Sequence, residues 1–125
     1  MNKVTKVVLV KDPEYGWYIR YGSIPDDELL ILENYFTSCI GHNINDLSLR
    51  KRQILEGIIG CNSIGSEIID GKIQLFHNYV EDLKEPRLST EELLALVEKW
   101  FELVSINAKR IVITNDAGTF SISDE

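Results

Sequence analysis

Little in these 125 residues points to a membrane or to a disulfide-built extracellular scaffold. No apolar run approaches the ~18 residues that a membrane span needs, and no charged-then-apolar segment opens the chain. A cytoplasmic protein with no membrane partner is the expectation. Cysteine is scarce: Cys39 and Cys61 are too few for the bridged framework of a small secreted domain, so reduced thiols are expected. The three prolines and eight glycines punctuate short elements instead of forming a linker, and no internal repeat recurs. Positive charge is in the minority, with 13 Lys and Arg against 20 Asp and Glu for a net charge of −7. That is the opposite of what a phosphate backbone rewards, which argues against a general nucleic-acid binder.

What is present suffices for one core. At 44% hydrophobic residues the chain reads as a single domain over 1–125, with enough Leu, Ile, Val and aromatic side chains to fold alone. Val4 to Val10 is a β-branched run, and Asp12-Pro13-Glu14-Tyr15-Gly16 is a turn cluster leading into the alternating stretch Trp17 to Tyr21. Pro25, followed by Asp26, Asp27 and Glu28, has the chemistry of a helix start. Leu29, Leu32, Phe36 and Cys39 or Ile40 then form the core stripe of a helix from about Pro25 to Ile40, closed by Gly41. Ser48 is the predicted N-cap of a second helix, with Leu55, Ile58 and Ile59 on its buried side. Asp70-Gly71 predicts a tight hairpin between strands near Ser66 to Ile69 and Lys72 to Phe76.

Ser89-Thr90-Glu91-Glu92 is a capping box that starts a third helix, Thr90 to about Val104, whose Leu93, Val97, Trp100 and Val104 face inward. Arg110 to Thr114 and Thr119 to Ser123 flank a four-residue loop and complete a third hairpin. The order ββααββαββ, three hairpins with three helices and no βαβ alternation, predicts an α+β fold with a mainly antiparallel sheet or sheets. Six strands in one sheet and two smaller sheets are both compatible with it.

No motif announces catalysis or a cofactor. Cys39, His42, Cys61 and His77 have the ligand types of a zinc site, but Cys61 and His77 lie too far apart to form a second knuckle, and Cys39 falls on an apolar stripe. A cysteine–histidine pair for nucleophilic chemistry lacks any cue for a lowered thiol pKa. Gly57 to Gly65 has neither glycine-rich phosphate-loop spacing. No catalytic residue, metal or cofactor is therefore expected. The cluster Arg50-Lys51-Arg52 falls in the first turn of the second helix, where the helix dipole opposes positive charge, and reads as solvated surface or as a contact for an acidic group.

Negative charge is concentrated in two stretches: seven acidic against two basic residues from Lys11 to Asp46, and seven against three from His77 to Ser105. The first surrounds Tyr15, Trp17, Tyr18 and Tyr21, and aromatic anchors beside carboxylates suit an interface for a basic partner. The plainer reading is that Trp17, Ile19 and Tyr21 face the core and the acids confer solubility.

In size, acidity and mixed α+β layout the whole chain resembles the small acidic immunity proteins of bacterial toxin–immunity systems, including those of contact-dependent growth inhibition. The resemblance implies a non-enzymatic inhibitor that occludes the active site or substrate groove of one cognate basic toxin domain, frequently a nuclease. Candidate contacts are Asp26, Asp27, Glu28, Glu33, Glu91, Glu98 and Glu102, with Trp17 and Tyr18 as anchors, and a monomer is favoured. An adaptor that binds a peptide through an exposed hairpin edge is the alternative, and a small hydrolase or metal enzyme using Cys61, His42 or His77 is a third.

Overall fold

A computed structural model describes residues 4–125. Strand β1 (Val4–Lys11) and β2 (Tyr18–Tyr21) form the first hairpin, and β6 (Arg110–Asp116) and β7 (Thr119–Asp124) the last. They join into one antiparallel sheet of order β2-β1-β6-β7. A second antiparallel sheet, β3-β4-β5, is built from β3 (Ile64–Ile69), β4 (Lys72–His77) and the two-residue β5 (Arg87–Leu88), which was not expected. The fold is α+β with two sheets, not one of six strands.

Helix α1 (Asp27–Asn34) touches β1 and β6 on one side and β4 on the other, so it fills the space between the sheets. Asp26 caps it by accepting from the Leu29 amide at 2.8 Å. The chain then widens into a π-helical turn, Tyr35–Ile40, ended by Gly41 at φ +77°, a conformation that favours glycine. The expected span of this helix thus holds, but its second half is not α-helical. Helix α2 (Leu47–Leu55) does not start at Ser48: a 3₁₀ turn, Ile44–Asp46, runs directly into it. It ends at Leu55, so Ile58 and Ile59 lie beyond it; within it Ile54 is buried and Leu55 faces water, and past its end Ile59 is buried and Ile58 exposed, a correction to the predicted stripe. Helix α3 (Thr90–Ser105) carries the predicted Ser89–Glu92 capping box, and its Leu93, Val97, Trp100 and Val104 are buried.

Trp100 is fully buried at the centre of the core. Its ring lies 5.3 Å from Phe36 and 5.8 Å from Tyr18 and from His42, and its Nε1–H donates to the Gly41 carbonyl at 2.9 Å. Asp70-Gly71 forms the predicted turn with positive φ at both positions. The last hairpin is tighter than predicted, because pairing continues to Asp116↔Thr119 and leaves only Ala117 and Gly118, both at positive φ, in the turn.

The largest departure from expectation concerns cysteine. Cys39 and Cys61 are joined in a disulfide, not left as thiols, and tie the end of the π-helical turn to the segment before β3. Residues 22 apart in sequence give no cue of their proximity; the packing of Ile40, Ile54 and Ile59 around the link supplies it.

Candidate functional site

The β1–β2 hairpin sends alternate residues to opposite faces of its sheet. Tyr18 points inward: it is 3% exposed, and its hydroxyl donates to the Ala108 carbonyl. Its neighbours point out, with Tyr15 at 65%, Trp17 at 61%, Ile19 at 50% and Tyr21 at 65% exposure. The expected alternation is present, but Tyr18 is a core residue and not an anchor, whereas Trp17, Ile19 and Tyr21 do not face the core. Ile19 pairs with Val10 and Tyr21 with Val8, so the apolar row continues onto β1. Because β2 is the sheet's edge strand, the row borders an unpaired backbone edge.

Beside the row, Tyr15, Gly16 and Trp17 form one wall of an open groove of about 530 Å³, with Thr37, His42 and Asn43 opposite. His42 stacks on Tyr18 at 5.8 Å, and its buried Nε2 has no partner among the described residues. Burial, then the charge of Lys11, lowers its pKa below the usual imidazole range.

The acidic candidates separate into three groups. Asp26, Asp27 and Glu28 are engaged in internal bonds, the first two half-buried and Glu28 buried. Asp26 accepts from the Thr5 hydroxyl and, at 3.4 Å, from the Asn115 amide. Asp27 accepts from the Lys84 amide at 3.0 Å. Glu28, 8% exposed, accepts from Asn115 at 3.3 Å and lies 3.4 Å from the Lys84 ammonium. This network pins the N-terminus of α1 to β1, β6 and the segment before β5. Glu33 is half-buried; desolvation raises its pKa and Arg20 partly opposes the rise. Of the candidate acids, Glu91, Glu98 and Glu102 are the exposed ones, all on α3; Glu98 pairs with Lys51 and Glu102 lies 3.5 Å from Lys99.

Two of the aromatic rings carry cations: Lys11 sits over the Tyr18 ring at 4.9 Å, and Arg110, itself 3.5 Å from Glu125, over Tyr21 at 5.4 Å. Asp12, on the same hairpin, accepts from the amides of Glu14 and Tyr15 and so shapes the turn.

For catalysis or metal binding, the disulfide removes Cys39 and Cys61 as nucleophile or ligand. His77 accepts from the Tyr79 amide through Nδ1 at 3.1 Å, and no group of three or more potential ligands is assembled among the described residues. Gly60 and Gly65 are small for packing, since an added Cβ would lie 2.5 Å from the Ile64 carbonyl oxygen and 2.3 Å from the Phe76 ring, respectively. Among the described residues, no helix is long and apolar enough to cross a membrane. No protein-family model matches the chain, and neither a similar characterised protein nor a similar solved structure was found.

Proposed function

We propose that the chain is a non-catalytic protein-binding domain that neutralises a cognate basic toxin domain, as the immunity proteins it resembles do. The observation that carries the reading is the exposed row Tyr15, Trp17, Ile19 and Tyr21 on an edge hairpin. Large aromatic side chains on a stiff scaffold are effective anchors, because they bury much area at little entropic cost. The anchor row itself is not acidic, so the preference for a cationic partner rests on the net charge of −7, whose long-range field steers encounter. The acids of α3 add to that field. The toxin's class, a nuclease acting on nucleic acid, belongs to the same proposal.

The reading also places the chain in the cytoplasm. A disulfide is uncommon in a reducing cytoplasm, and of this bond Cys39 is 7% exposed while Cys61 is half-buried, so the bond itself counts against this placement.

Sequencing the reading frames that flank this chain, and co-expressing the chain with any basic domain found there, tests the proposal; the absence of such a domain would count against it. The wild type should restore growth and co-purify with that domain, and Trp17→Ala should weaken binding about 30-fold, the loss of an anchor worth about 2 kcal/mol. Tight binding unaffected by Trp17→Ala, or growth inhibition that persists with the wild type, would refute it.

The edge position of β2 favours a second reading, in which a peptide extends the sheet through main-chain hydrogen bonds. The two differ in salt dependence: steered docking should slow as ionic strength rises, while strand addition should change little.

A further inference from the structure

Three consecutive cations, Arg50, Lys51 and Arg52, lie in the middle of α2, with Arg52 in its last turn, and not in the first turn as expected. Lys51 is paired with Glu98 and Arg52 is exposed. Arg50 is held differently. One terminal nitrogen donates to Gln53 Oε1 at 3.1 Å and the other lies 3.8 Å from Asp46, while its buried Nε finds no partner among the described residues. The hydroxyl of Tyr35, a fully buried residue, also finds none. Tyr35 and Arg50 line the same cavity of about 70 Å³, bounded further by Gln53, Ile54 and the two bonded cysteines. Burial pushes the Tyr35 phenol's pKa up and the Arg50 charge opposes that rise, so the two groups act on one another across this space.

We propose that this cavity is a binding site for a halide-sized anion, held by the Nε–H of Arg50 and the hydroxyl of Tyr35. Arginine has only donors, and the Tyr35 hydroxyl can turn its proton into the same space, so the site calls for an acceptor. A buried donor left unpaired is destabilising, because its hydration is lost with nothing in return. The volume admits one small ion and a water, since a water molecule takes about 30 Å³, and it excludes sugars and nucleotides. The Asp46 carboxylate meets Arg50 through a terminal nitrogen at 3.8 Å, which leaves the Nε–H on the cavity side for a second acceptor.

The experiment uses the full oxidised chain and chloride as probe, with sodium gluconate at equal ionic strength as reference. Chloride should stabilise the fold saturably, raising the folded-to-unfolded ratio about elevenfold at ten times its dissociation constant. It should also show excess ³⁵Cl line broadening that bromide displaces. Tyr35→Phe and Arg50→Lys should each abolish both effects, and Arg52→Gln should leave them intact. Equal stability in chloride and gluconate with no excess broadening would overturn the site in favour of water alone. Broadening that survives Arg50→Lys would overturn it too, even if Tyr35→Phe failed to fold.

Discussion

Reducing the Cys39–Cys61 bond perturbs this fold without changing an atom of its core packing, and the loop it closes sets the size of the effect. The residues are 22 apart, for which chain-entropy theory gives about 3.4 kcal/mol of stability at 25 °C through restriction of the unfolded chain. The closed loop contains all of α2, which otherwise meets the rest of the molecule chiefly through α3. Urea unfolding followed by the fluorescence of buried Trp100 measures the effect, with and without a phosphine reductant. For a slope of about 1.5 kcal/mol per molar, the midpoint should fall by about 2 M on reduction. Ellman titration should find no thiol in the untreated denatured protein and two after reduction. Equal midpoints for samples with zero and two thiols would refute the reasoning. Two thiols in the untreated protein would refute the bond itself.

The two tryptophans should behave oppositely: Trp100→Ala should cost about 3–5 kcal/mol, whereas Trp17→Ala, at an exposed position, should stay within about 0.5 kcal/mol by the same urea assay. Asp26→Ala removes a helix cap and an acceptor for Thr5 and Asn115, so a loss of about 2 kcal/mol is expected, with Asp26→Asn losing less because it keeps the cap; equal losses would show that the cap is irrelevant. The pKa of His42 is lowered in the fold, so the unfolded chain binds the proton more readily, and stability should fall as pH drops below about 6.5 toward the folded value. His42→Phe keeps a stacked ring without the titration and should flatten the urea midpoint between pH 7.5 and 5.

Features of the fold encoded by local chemistry were legible in the sequence. The Ser89–Glu92 box and the Asp70-Gly71 turn each satisfy or bend a few adjacent backbone groups and are found where the residues indicate, and the helix start read at Pro25 lies two residues later, with Asp26 as its cap. Features decided by packing across the molecule were not. Period-two alternation separated Tyr18 from Trp17, Ile19 and Tyr21 but could not say which set meets the core; Trp100 and His42, which receive Tyr18, lie far away in sequence. The acids next to Pro25 read as surface because a sequence does not reveal Asn115 and Lys84 converging on them. β5 is too short to have a pattern, and it exists because Leu88 reaches Ile73.

The π-helical turn makes residue count, and not only residue type, a constraint on this molecule. Its closing bond runs from the Gly41 amide to the Phe36 carbonyl at 3.0 Å, one residue longer than an α-helical step. That surplus residue brings Cys39 round to Cys61 and leaves the Gly41 carbonyl facing the Trp100 indole. Deleting any one residue between Tyr35 and Ile40 would let a regular helix form locally, yet it would rotate the helix end by about 100° and break a covalent and a polar tether at once. Related chains should therefore tolerate substitution across this segment far better than a change in its length, the reverse of what is usual for a surface loop.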